Sequence, residues 1–241
     1  PEAQAKAILT KVVGFSQADE CTAQLNGATR GNVRFARNDV STAGVTDDVQ
    51  LAVQVAFGKR VGTATINQFD DASLQRVVRR AEELARLAPE NPEFMPAVPQ
   101  QTYLKTNTFS APTAAIDPAY RAKVASDSIG PCRAENLVAA GYLEDQAGFV
   151  AFMNSKGNYG YQTSTSSDYT CTVRTPDGRG SGWVGHNVQD VAQFNAGEDI
   201  RVAMRKASAS AGAQALEPGK YTVILEPAAA AGLVAFMMYF F

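Results

Sequence analysis

The stretch VQLAVQVAF, Val49 to Phe57, constrains the fold most. Val49, Leu51, Val53, Val55 and Phe57 alternate with small or polar residues, a period of two that belongs to a strand with one apolar face. Gly58-Lys59-Arg60 makes a turn, and VGTATI returns as the hairpin partner. Such a pair must bury its apolar face, and amphipathic segments stand on either side. Residues 3–14 read as a helix with Ile8, Leu9, Val12 and Val13 on one side. Asp71 is placed to cap a second helix, whose buried side is Leu74, Val77, Val78, Ala81, Leu84, Ala85 and Ala88. Between them ECTAQLNGATRGNVRFARNDV reads as strand, turn, strand, with the charges of RFARNDV protecting an exposed edge. The expectation is a first unit over residues 1–99: helix, three or four antiparallel strands, helix.

That unit closes on PENPEFMPAVP, where four prolines in eleven residues cannot sustain a helix or a central strand; it is a linker or an extended crossing. A second unit, residues 100–226, opens with a helix near 118–129. Turn signals at EDQAG, NSKG, TSS and TPDGRG then separate five strand-like runs, an antiparallel meander. A polar helix near 197–211, a turn at Pro218-Gly219-Lys220 and a buried strand YTVIL follow. Residues 227–241, PAAAAGLVAFMMYFF, place a proline at the first position of a helix, expected to be buried as the start of an incomplete C-terminal domain. The fold class is α+β: a helix-flanked antiparallel sheet, a proline-rich linker, and a mainly antiparallel β-meander with helices.

The chain has 241 residues, 22 basic and 24 acidic, with no basic stripe or acidic tail. Direct nucleic-acid binding is therefore not expected. Three separated cysteines, Cys21, Cys132 and Cys171, form neither a disulfide framework nor a zinc finger and read as small core or surface residues in a cytoplasmic setting. No secretory leader is read at the start, and the closing apolar run of fifteen residues falls short of the roughly 20 that span a bilayer.

The residues by themselves mark no self-sufficient active site. His186 is the single imidazole, so it would have to serve in any histidine-based ligand set or triad; the plainer reading is a polar strand-end side chain. GRGSGWVG, Gly178 to Gly185, lacks the Lys-Ser/Thr of a phosphate loop, and its glycines mark close backbone approach or a groove for an extended peptide. Glu82 and Glu83 lie on what reads as a solvated helix side and form no catalytic pair.

VRFARNDVSTAGVTDDVQLAVQVAFGKRVGTATINQFDDASLQRVVRRAEELARLAPENPEF resembles the N-terminal domain of the TldD/PmbA family, and LEPGKYTVILEPAAAAGLVAF resembles that family's junction into its C-terminal domain. The resemblance covers essentially the whole chain in order, although family members are considerably longer. It implies a metallopeptidase-related fold, in a family associated with peptide cleavage, with microcin maturation and with modulation of DNA gyrase. TldD-type members carry HExxxH on the helix after a "VVL" strand, where two histidines hold zinc and the glutamate serves as general base. Set against VILEPAAAAGLVAFMMYFF, that motif places its first histidine at Ala235, its glutamate at Phe236 and its second histidine at Phe240. The resemblance is therefore to the PmbA (TldE)-like branch, without HExxxH. It implies no metal or cofactor in this chain, zinc on a TldD-like partner subunit, and a peptide substrate. The alternatives are a non-catalytic homodimer that binds a peptide or protein, and an enzyme with relocated chemistry, using His186 or residues beyond 241.

Overall fold

The computed structural model describes residues 1–240. Its centre is one antiparallel sheet of six strands in the order β3-β2-β1-β4-β5-β6. The strands are β1 (Glu20–Ala36), β2 (Asp39–Phe57), β3 (Arg60–Ile66), β4 (Val138–Asn154), β5 (Tyr159–Arg174) and β6 (Ser181–Val188). The helices are α1 (Glu2–Phe15), α2 (Asp71–Leu87), the short α3 (Ala111–Ala114), α4 (Pro118–Ala134), α5 (Ala196–Ser210) and α6 (Pro227–Met238). None of the described helices is long and apolar enough to cross a membrane.

The α+β class and its antiparallel sheet are as expected, but the sheet is shared by both halves of the chain. β1 pairs with β2 on one side and, from Thr22 to Phe35, with β4 on the other. The Arg34–Ala36 part of RFARNDV is therefore in a central strand rather than an edge, while Asp39 and Val40 begin β2. Phe35 is buried in a central strand, and Arg37 and Asn38 form the β1–β2 turn with φ of 53° and 62°. Asn38 tolerates that left-handed backbone because its amide is used: Nδ2 donates to the Leu137 carbonyl at 2.8 Å, and Oδ1 accepts the Ala139 N–H at 2.7 Å.

Two helix pairs cover the same face of the sheet. At one end α1 and α2 lie on Cys21, Ala23, Leu25, Leu51, Val53 and Val55. At the other, α4 and α5 lie on Val33, Phe35, Leu143, Tyr169, Cys171 and Val184. The odd-numbered residues of β1 serve both cores because a strand keeps its parity along its length. The second unit contains three long strands where five were expected. NSKG and TPDGRG turn, whereas EDQAG and TSS run on inside β4 and β5.

Three local expectations shift. Asp70, not Asp71, caps α2, accepting the Ser73 N–H at 2.9 Å. Glu82 is buried, not solvated, and accepts the Gln17 N–H at 2.7 Å, tying α2 to the segment after α1. YTVIL forms no strand: 213–226 has no regular structure, and Val223 and Ile224 are exposed.

The proline-rich segment crosses one end of the sheet and is pinned there. Asn158, fully buried in the β4–β5 turn, donates to the carbonyls of Val98 and Pro99 at 2.7 and 2.8 Å. Its Oδ1 accepts the Gln101 N–H at 2.7 Å and the Tyr103 hydroxyl at 3.2 Å. Further along, the Thr165 N–H donates to the Thr108 carbonyl at 2.9 Å, which covers the part of β5 that β6 does not reach.

Candidate functional site

The positions aligned with HExxxH lie on α6 and just past its end. Pro227 starts this helix, and Lys206 Nζ contacts Glu226 at its N-cap at 2.6 Å. Ala235 and Phe236 occupy its last turn, and Phe240 follows in the turn beyond. None of the three side chains carries a lone pair that could bind a metal or a group that could move a proton. A zinc site of the HExxxH type does not fit these residues. Among the described residues, no cluster of three or more histidine, cysteine, aspartate or glutamate side chains stands ready for a metal. The helix is expected to be core as the start of a C-terminal domain; among the described residues no element packs over it, and Leu233, Val234, Phe236, Met237, Met238, Tyr239 and Phe240 are exposed.

His186 lies far from α6 in sequence, on β6 opposite Tyr169. Its Nε2 is 2.9 Å from Asp199 Oδ1, in the first turn of α5, and its ring faces Phe194 at 6.4 Å between centroids. Among the described residues no hydroxyl or thiol hydrogen-bonds to the ring. The pair can fasten β6 to the start of α5, but it activates no nucleophile. Two of the four glycines of GRGSGWVG have the close-approach role: a Cβ on Gly182 would collide with the Ala203 carbonyl, and one on Gly180 with that of Ala207, both on α5.

The cysteines are inert in this setting. Burial pushes the Cys21 and Cys171 thiols up to about 11 and the Cys132 thiol up to about 12, so none supplies a thiolate near neutrality. At about pH 8, a thiol reagent should label none of the three cysteines of the folded protein and all of them in guanidinium, where their ionisation returns to the ordinary range. Rapid labelling of the native protein would contradict this burial.

Two features escape sequence reading. One is a buried ion pair between the helix pairs. Arg121, on the first turn of α4, grips Asp145 of β4 with both ends of its fork: Nε to Oδ1 at 2.6 Å and Nη2 to Oδ2 at 2.7 Å. Nη2 also reaches the Ile116 carbonyl at 3.3 Å. The guanidinium lies over Gly31, where any Cβ would collide with it. The other is a pocket of about 320 Å³ beside this pair, lined by Val40, Ala43, Val45, Pro118, Arg121 and Ala122 among others. Asp145 sits in EDQAG, which reads as a turn, so nothing in the sequence pairs it with Arg121.

Comparison with known proteins places this arrangement. Residues 25–85 match the family model described as PmbA/TldA metallopeptidase domain 1. No curated protein matches the chain. Among solved structures, TldE from Thermococcus kodakarensis superposes with a TM-score of 0.76 at 13% identity, over 84% of this chain and 47% of that one. A protein from Thermotoga maritima described as a modulator of DNA gyrase gives 0.77 at 12% identity, over 91% of this chain and 50% of its own. One from Bacteroides thetaiotaomicron with the same description gives 0.80 at 14% identity, over 99% of this chain and 56% of its own. The chain thus spans about half the length of these structures and shares their fold. Residues 25–85 match the first domain of the PmbA/TldA metallopeptidase family, and the chain as a whole shares the fold of these TldE and DNA-gyrase-modulator structures.

Proposed function

We propose that the chain is part of a PmbA/TldE-like subunit of a metallopeptidase system that acts on peptides or unfolded segments in the cytoplasm, with the zinc carried by a TldD-like partner. The observation that carries this reading is the absence of donor atoms at Ala235, Phe236 and Phe240, where the resemblance sets a zinc-binding motif. His186 does not substitute for that motif, because its polar contact is a single carboxylate that anchors α5. The role assigned to the chain is to complete and shape a peptide-holding chamber.

The test is peptide hydrolysis by the purified full-length protein, alone and mixed with a TldD-like protein from the same cell. The expected result is no cleavage alone and chelator-sensitive cleavage in the mixture, unchanged by His186→Ala. Chelator-sensitive cleavage by the protein alone would refute the reading. A stable homodimer that retains a peptide and never cleaves it would favour the binding-only alternative.

A further inference from the structure

β2 is covered by β3 only from Leu51 onward. From Asp39 to Asp48 every residue is exposed. Among the described residues, no backbone group from Val40 to Gln50 bonds to anything but β1. This is a long unpaired edge. Natural edges are usually blunted by charges, above all lysine, by proline or by a strong bulge, and the charges here are the acidic Asp39, Asp47 and Asp48. Here one register shift stands opposite Arg34/Phe35, and DVSTAGVTDDVQ contains no lysine, arginine or proline.

The two hairpins fix which way this edge points. In a two-residue hairpin the residues flanking the turn bond to each other. Ala36 and Asp39 flank one turn, and Phe57 and Arg60 flank the other. Counting inward from both ends gives one answer: Ala43, Val45, Asp47 and Val49 direct their N–H and C=O groups outward, while Thr42, Gly44, Thr46 and Asp48 bond to β1. The side chains of the outward set share the helix-bearing face, because Ala43 is opposite Val33 and Val33 lies in the core under α4. Ala43 and Val45 border the apolar pocket against Pro118 and Ala122. Asp47 follows on the same face and makes no ion pair among the described residues.

The geometry points to β2 as a strand-addition site for an extended segment of another polypeptide. That segment carries an aliphatic side chain for the pocket and a lysine or arginine two residues before it, facing Asp47. The order assumes antiparallel pairing, the more stable arrangement. A second copy of this edge is a poorer occupant, since residues 39–50 offer no cation to Asp47. The site stands independently of where zinc is carried.

The probe is a fluorescein-labelled, end-blocked peptide of sequence Thr-Lys-Thr-Val-Thr-Val-Thr, with a glutamate-for-lysine version as its partner, read by anisotropy. Val45→Pro deletes one outward N–H and leaves the β1 ladder intact, so it should keep its circular dichroism and melting temperature. It should bind the lysine peptide about tenfold more weakly or worse, the equivalent of roughly 1.4 kcal/mol. Val45→Thr, which keeps the N–H, should stay within about twofold, since its loss is confined to a pocket-edge contact. The glutamate peptide should bind about tenfold more weakly at low salt, with the gap closing as salt rises. No binding of the lysine peptide, or equal binding by Val45→Pro, overturns the proposal. So does a dimer of the unmodified protein that Val45→Pro splits, which would give the edge to a second copy. None of these results bears on zinc content, so this site and the proposed function fail separately.

Discussion

Arg121→Met should destabilise the fold by about 3–5 kcal/mol, the usual cost of removing one partner from a buried ion pair. The side chains of Arg121 and Asp145 are only 6% and 8% exposed, so the orphaned carboxylate cannot recover its hydration in place. For a chain of this size, about 2–4 °C is lost per kcal/mol, so the melting temperature should fall by about 6–20 °C. Arg121→Met combined with Asp145→Leu should recover much of that loss, since an apolar pair of similar volume can replace a buried ion pair at little cost. Thermal unfolding of the two variants and the parent checks this. A loss below about 1 kcal/mol, the range of exposed pairs, would mean that water reaches the site.

The second large effect belongs to the edge strands. Gly182 on β6 faces the Ala203 carbonyl of α5, and Gly62 on β3 faces the Ala81 carbonyl of α2. The obstruction in each case is helix backbone, which cannot rotate away as a side chain can. Gly182→Ala and Gly62→Ala should each cost about 1–3 kcal/mol, as overpacking does, because the helix must lift off the sheet to admit one methyl group. Gly14→Ala is the control. That glycine lies in α1 with nothing within 4 Å of a new Cβ, so alanine should stabilise by about 0.4–1 kcal/mol through the unfolded state. Denaturant midpoints of the three variants should separate in these directions.

These two cases also show where the sequence was readable. The alternation of Val49 to Phe57 was legible because β2 buries one face there under α1 and α2. Helix α2 is legible from its periodicity, with its cap one residue early at Asp70, and α4 and α5 stand where helices are expected near 118–129 and 197–211. EDQAG and TSS carry turn-forming residues, so the sequence divides β4 and β5 into shorter strands than the fold has. In the fold these residues lie between the two helix pairs, where Arg121 and hydroxyls, rather than aliphatic side chains, cover the sheet. Asp145, Thr165 and Ser167 are buried there, so polar residues are the local requirement. The free edge of β2 was invisible for another reason: strand order depends on where β3 stops pairing, and no residue in 39–50 reports that. Of the candidate site residues, Ala235 and Phe236 lie on the expected helix and Phe240 just past it, and the apolar run reads as core because the domain expected to cover it is not among the described residues.

The most direct test of the account is elemental zinc analysis of the full-length protein, purified alone and then co-purified with a TldD-like protein from the same cell. The account predicts zinc only in the co-purified sample, because Ala235, Phe236 and Phe240 offer it no donor. Stoichiometric zinc on the protein purified alone would contradict it.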